Sequence, residues 1–232
     1  MVSLDLLLDE KPSRVFPAPP ADSVLYLPMY PPLVSPTRDW SGQGNHGAIT
    51  GATWVRLPSG LWVLNFDGGD RVDCGTNASL NLGTTFSIEA WIKTTAVGTG
   101  GILSNNASIV NGDFQMGVNV TKAYYYAANT LATTRYYYNE GSVVNTGNWV
   151  HLMVTRNEAT FKDYKNGVLD LDKTDFVTGD IYTTGNTYLG WMQVPSDYWV
   201  GQLALLRIYN RVLSATEIAQ HFQQERHLFG VW

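Results

Sequence analysis

From Val24 onward, apolar positions recur in short bursts separated by turn-forming residues. Phe86, Ile88, Ala90 and Ile92 alternate with Ser87, Glu89 and Lys93, the period of a strand with one face on a core. Trp91 interrupts the polar face, so that face is also partly covered, as in a sandwich whose outer surface packs or binds. Asn148 to Asn157 repeats the pattern with Val150, Leu152 and Val154 inward. Val24 to Tyr30 predicts another strand, and Ala52–Leu57 and Leu61–Phe66 form a hairpin across Pro58-Ser59-Gly60. Asn166-Gly167, following Thr160–Lys165, is a two-residue hairpin turn. Many short strands joined by turn chemistry predict an antiparallel sandwich or jelly roll.

The run from Gly201 to Phe222 changes period once. A strand is followed by an Asn210-Arg211 turn and then a short helix. Ser214 fits the N-cap, Glu217 completes a capping box, and Leu213 with Ile218 fits the hydrophobic staple. Ile218, Phe222 and Ala219 supply the buried stripe, so the helix closes the fold.

Composition narrows the partners. The chain has 232 residues, 44% of them hydrophobic, and a formal net charge of −5. Only 15% are charged, against about 25% in typical domains, and the polar surface is built from Thr, Asn, Ser, Gly and Tyr, as in adhesive β-proteins. Without a Lys/Arg cluster, nucleic acid is excluded as a partner. No apolar run reaches the ~20 residues of a membrane span. Cys74 is alone and reads as a small buried hydrophobe beside a turn.

Residues 1–22 are patterned differently. Pro12, Pro17, Pro19 and Pro20 favour an extended arm, and Leu4, Leu6, Leu7 and Leu8 would be wasted in solvent. The arm docks on a partner or neighbouring copy, or straps its own domain. Asp5, Asp9 and Glu10 occupy the place of a basic leader, so no signal peptide is predicted. The expected organisation is an arm (1–22), one domain (23–222) and a C-terminal tail (223–232).

Several segments in register carry a family resemblance. They are Asp39-Trp40-Ser41-Gly42 with Gly44-Asn45-His46-Gly47, Leu64-Asn65-Phe66-Asp67-Gly68 running to Val72-Asp73-Cys74-Gly75, and Phe86 to Ile92. Asn148-Trp149-Val150-His151-Leu152, Asn166-Gly167 and Arg207-Ile208-Tyr209-Asn210-Arg211 complete the set. Together they resemble the laminin-G-like, concanavalin A-like jelly-roll domains. The resemblance implies an all-β, two-sheet antiparallel sandwich of six or seven strands per sheet with one short C-terminal helix. It also implies a non-catalytic domain that binds glycans or proteins or acts as a spacer, often with calcium. Relatives carry acidic residues two and three positions before the segment's arginine. Here those positions are Leu205 and Ala204, which puts a metal site there in doubt.

Two candidate sites follow. Calcium takes six to eight oxygens, and Asp39, Asn45, Asp67, Asp70 and Asp73 are the local supply; the competing reading is Asx turns and a shaped hairpin. No other cofactor is expected, and no histidine has zinc-site spacing. Tyr124 with Tyr126, and Tyr136 with Tyr138, share strand faces, and Trp191 and Trp199 near Asp197 and Tyr198 could extend them. Such aromatics serve as outer-layer packing, as a protein interface or as a glycan platform. An enzyme is not expected: the Glu-x-Asp-x-x-Glu strand of glycan-cleaving relatives is missing, and no carboxylate pair replaces it.

The expectation is a non-catalytic binding or adhesion module, lectin-like or protein-binding, on a virion or cell surface, with the cytoplasm as the other location. The alternative is a structural assembly subunit, such as a virion decoration or appendage protein, forming homo-oligomers or engaging virion subunits through the arm. A chain opening at Met1 without an export signal favours the alternative.

Overall fold

The computed structural model describes residues 20–29, 37–105, 113–128, 135–174, 178–181, 185–192 and 196–232. In chain order the strands are β1 (Ser23–Leu27), β2 (Ala48–Thr50), β3 (Thr53–Arg56), β4 (Trp62–Asp67), β5 (Arg71–Asp73), β6 (Thr85–Lys93), β7 (Gly98–Ser104), β8 (Phe114–Val120) and β9 (Lys122–Ala128). They continue with β10 (Arg135–Tyr138), β11 (Val150–Asn157), β12 (Thr160–Lys165), β13 (Val168–Lys173), β14 (Tyr188–Leu189), β15 (Trp191–Met192), β16 (Asp197–Tyr198) and β17 (Val200–Tyr209). Helix α1 (Ala215–Glu225) and a 3₁₀ turn, Arg226–Phe229, follow.

An eight-stranded sheet runs β13-β12-β11-β6-β17-β4-β3, with β1 also pairing β17, and faces a seven-stranded sheet ordered β10-β9-β8-β7-β14-β5-β2. Every pairing between these strands is antiparallel. One sheet is thus larger than the expected six or seven strands. The alternation holds: Phe86, Ile88, Ala90 and Ile92 of β6 and Val150, Leu152 and Val154 of β11 all lie in the core between the sheets. Asn166 and Gly167 take φ values of 52° and 78°, the left-handed pair that a tight hairpin turn requires. Among the described residues no helix is long and apolar enough to cross a membrane.

The outer face of the eight-stranded sheet is covered by the C-terminus. Ser214 caps α1 and exchanges both hydrogen bonds of the capping box with Glu217, while Leu213 and Ile218 pack in one cluster. Trp91, fully buried, stacks on Phe229 at 4.1 Å and on Phe222 at 5.8 Å between ring centroids. Leu228 and Phe229 are buried, so the tail is part of this layer.

Strand β17 breaks alternation, with a physical consequence. Its register with β6 shifts between Ala204 and Arg207, and Leu205 sits at φ 45°, where a branched side chain is strained. This bulge puts Ala204 and Leu205 together under the C-terminal layer, leaving Leu206 and Ile208 in the core. Bulges re-aim side chains in this way, and here the one re-aimed is Arg207. Its guanidinium bonds Glu89 Oε1 and Glu225 Oε1, each at 2.5 Å. Tyr209 donates its hydroxyl hydrogen to Glu89 at 2.8 Å, and the Trp91 indole N–H donates to Glu225 at 2.7 Å. His151 and His221 lie 3.2 and 3.1 Å from Glu89 Oε2. Burial alone would raise the Glu89 carboxyl, but the Arg207 charge and the two histidines hold it well below the usual carboxylate range.

The proline-rich arm falls almost entirely on residues 1–19, and Tyr30 lies in 30–36; both stretches are outside the described residues.

Candidate functional site: an aromatic cluster on the seven-stranded sheet

The site is built where β5 and β14 present their outward residues. Val72 and Leu189 point into the core, so alternation places Arg71, Asp73 and Tyr188 on the outer face. Asp73 and Tyr188 are direct cross-strand partners. A hairpin of β15 and β16 lies beside them, pairing Trp191 with Tyr198 and Met192 with Asp197. Trp191 is half-buried. Its ring stacks on Tyr198 at 5.8 Å and meets Tyr188 edge-on at 4.8 Å. The Arg71 guanidinium sits 5.5 Å from the Trp191 ring centroid. The indole N–H donates to Ser196 Oγ at 3.3 Å.

Polar groups rim the aromatic rings. Asn186 donates its amide to both Asp73 carboxylate oxygens at 2.9 and 2.8 Å, and the Gly75 N–H donates to Asp73 Oδ1 at 2.8 Å. Burial raises the Asp197 carboxyl. The Tyr188 hydroxyl is raised by burial and then by the Asp73 charge. A half-buried indole edged by carboxylate, amide and guanidinium groups can stack on an apolar ring face while bonding hydroxyls at its rim.

Glycine makes room for this hairpin. An added Cβ at Gly101 would lie 3.0 Å from the Trp191 backbone, and one at Gly100 would lie 3.2 Å from Tyr198 O. Bare backbone in β7 therefore lets β15 and β16 lie flat on the sheet, and Ser104 Oγ secures them by donating to Trp191 O at 2.8 Å.

The sequence-predicted aromatics divide. Trp191 is central to the cluster. Tyr124 is on the same sheet face but buried, its hydroxyl donating to Gln115 Oε1 at 2.5 Å with Met192 Sδ 2.7 Å away. It therefore props the hairpin from below. Tyr126 shares that face and is half-buried. Tyr138 turns inward, packing in the core 6.0 Å from Phe161, and Trp199 is buried in the core. These two rings cannot form a surface platform. Tyr136 pairs with Ala127 in the ladder; its side chain lies outside the described residues. Arg71, Asp73, Tyr188 and Asn186 were not anticipated as a group.

The calcium candidates form two separate turns. Asp39 Oδ1 accepts from Tyr26 N and Ser41 N, and Oδ2 from Asn45 N and Ser41 Oγ, all at 2.8–2.9 Å. Asn45 donates to Val24 O and Ser79 Oγ. In the second turn Asp70 Oδ2 accepts from Asp67 N, and Asp67 Oδ1 accepts from Gly69 N. Four donor hydrogens occupy the lone pairs that a cation would need on Asp39, so Asp39 builds its turn, while Asp67 and Asp70 each accept one backbone hydrogen that shapes the second turn. Among the described residues no three His, Cys, Asp or Glu side chains are grouped to hold a metal. Cys74 is buried, and burial pushes its thiol up, away from the reactive thiolate.

The two facing antiparallel sheets define a two-layer β-sandwich. Residues 66–219 match the model of the concanavalin A-like lectin/glucanases superfamily (Laminin_G_3). The chain belongs to this superfamily. A search of curated protein sequences returns no match.

Solved structures share the fold at low identity. The binding domain of Paraclostridial Mosquitocidal Protein 1 superposes with a TM-score of 0.72 at 14% identity, covering 90% of this chain and 55% of that one. The binding domain of Botulinum neurotoxin DC, in complex with rat synaptotagmin II, gives 0.67 at 15% identity over 88% and 52%. This chain thus spans about half the length of those toxin domains. Domain 4 of the GH43 extracellular arabinanase AbnA from Geobacillus stearothermophilus, in complex with arabinotriose, gives 0.64 at 18% identity over 86% and 98%.

Proposed function

We propose that this chain is a non-catalytic glycan-binding module on a virion or cell surface, its ligand seated on Trp191. The observation that carries this reading is the half-buried Trp191 ring, fixed by Tyr188, Tyr198 and Arg71 and bordered by the Asp73–Asn186 pair. Fixed aromatic rings contact a ligand at low entropic cost, because little freedom remains to be lost. The family and the arabinotriose complex of the arabinanase domain support a saccharide as the ligand. A glycan array probed with the wild type and Trp191→Ala tests the reading. Hits lost in the variant support it, and an array with no wild-type hit refutes it.

One observation favours protein contact as a second reading. Val97, Val120 and Val143 are 74%, 52% and 44% exposed, and the Asn145 amide, donating to Ala96 O and Val120 O, ties their loops together. Assembly with neighbouring copies or virion subunits through this patch and the N-terminal arm would serve an appendage protein. Light scattering of the wild type and a chain lacking residues 1–22 tests it; a monomer in both refutes self-assembly.

A further inference from the structure

The exposed valines lie together at one end of the sandwich. Gly98 and Val120 are cross-strand partners, Lys122 is bridged to Val143, and the Asn145 amide joins Ala96 O to Val120 O. Val97 and the 44% exposed Val200 line one cavity of about 100 Å³ with Val118 and Trp199. Four exposed branched side chains thus surround an apolar cavity.

Val120 supplies an independent observation. It sits at φ 61°, a left-handed conformation that strains a β-branched residue and suits Gly, Asn or Asp at a turn tip. Its side chain is 52% exposed, so the domain's own core gains little from a valine there. Strain of this kind collects at contact sites.

The N-terminal arm leaves from the other end. Ser23, which opens β1, pairs with Tyr209, the last residue of β17, and Asp22 pairs with Arg211. Val200 opens β17, a strand of ten residues, so the two ends are about 30 Å apart at ~3.3 Å per residue. Residues 2–10 carry Val2, Leu4, Leu6, Leu7 and Leu8 with Asp5, Asp9 and Glu10, and residues 11–19 hold Pro12, Pro17 and Pro19. A proline-rich segment reaches ~3.1 Å per residue, which gives residues 11–19 a span of roughly 28 Å. That is too short to carry residues 2–10 around the domain onto their own valine end. The valine end of a neighbouring copy, placed end on, is within reach. Its chemistry also matches: valines meet leucines, and Lys122, without an ion-pair partner among the described residues, meets carboxylates.

We propose, on the self-assembly reading, that residues 2–10 of one copy dock on the valine end of the next, joining copies head to tail. Such a contact is heterologous, so each added copy offers a new arm and a new valine end until a ring closes.

Light scattering of two full-length double variants tests the docking: Leu6→Asp with Leu7→Asp in the arm, and Val97→Asp with Val120→Asp at the valine end. The wild type should form oligomers larger than dimers as concentration rises. Each variant should associate about 100-fold more weakly, tenfold per lost apolar contact. Both should melt close to wild type, because the valines are exposed and Asp accepts the backbone of position 120. Lys122→Glu, which leaves the apolar surface intact, should weaken association by a few-fold at low salt. An equimolar mixture of the two double variants should form one-to-one heterodimers and nothing larger, because each pair retains one working arm and one working valine end. A monomeric wild type removes the self-assembly reading and the docking with it. Wild-type oligomers that persist in either double variant, or two monomeric variants that fail to pair, overturn the docking alone.

Discussion

Arg207→Met removes the one cation shared by two buried carboxylates. Arg207 is 1% exposed, Glu89 0% and Glu225 2%, so water cannot replace the lost guanidinium. Removing one member of a buried pair costs about 3–5 kcal/mol, because the remaining charge is left uncompensated. Arg207 serves two partners, which places the cost toward the upper end. At ~2–4 °C per kcal/mol for a domain of this size, the melting temperature should fall by roughly 6–20 °C. The pH dependence gives a second readout. In the wild type Glu89 is held below its ordinary value, so its contribution is present above the unfolded carboxylate pKa and is lost only as pH falls through its lower folded value. In Arg207→Met, Glu89 keeps only the two histidines beside it, its pKa rises, and the variant should gain stability as pH drops from 8 to 5. Thermal unfolding followed by circular dichroism across that range measures both effects. Adding Glu89→Gln and Glu225→Gln should recover much of the loss. An Arg207→Met variant within about 1 kcal/mol of wild type at pH 8, or one less stable at pH 5 than at pH 8, would show that Arg207 does not stabilise these buried carboxylates.

Three further outcomes are expected. Burial, reinforced by the Asp170 charge, raises the Asp163 carboxyl to about 7; wild-type stability therefore declines as pH rises toward that value, and Asp163→Asn should stabilise by on the order of 1–3 kcal/mol at pH 8 and less at pH 5. Gly101→Ala should lift the β15–β16 hairpin, whose backbone leaves no room for a methyl group, costing about 1–3 kcal/mol as overpacking does and weakening any ligand that needs Trp191. Because the Asp39 carboxylate is filled by four donor hydrogens, chelator should leave the melting temperature unchanged; a rise on adding calcium would show a site elsewhere.

The strands and the capped helix were legible because their signals are local. Phe86 to Ile92 states its own period, and Ser214 with Glu217 states where the helix starts. Trp91 even announced that the polar face was covered, although not by what. Glu89 was not legible. Alternation assigns it to the outer face, yet the sequence does not say that this face lies under Glu225 and Phe229, about 140 residues on. Arg207 was hidden for another reason: the Ala204–Leu205 bulge shifts the phase of β17, and no Gly or Pro marks it. The tyrosine triplets misled because an aromatic suits either face of a strand, so Tyr138 and the core ring Tyr125 look like Tyr126. Trp191 could be selected as an aromatic, but its partners Arg71, Asp73 and Tyr188 come together only through the pairing of β5 with β14. The one sequence signal for the hairpin seat was Gly98, Gly100 and Gly101 within a single strand.

The proposed function seats a saccharide on Trp191. Isothermal titration with arabinotriose, and with the strongest array hit, should give saturable binding that Trp191→Ala weakens by about tenfold or more, since a lost aromatic contact of ~1.5 kcal/mol corresponds to that factor. The variant should melt close to wild type, because Trp191 is half-buried. Equal affinity in the two proteins, or no saccharide bound by the wild type, would rule out a saccharide site at Trp191.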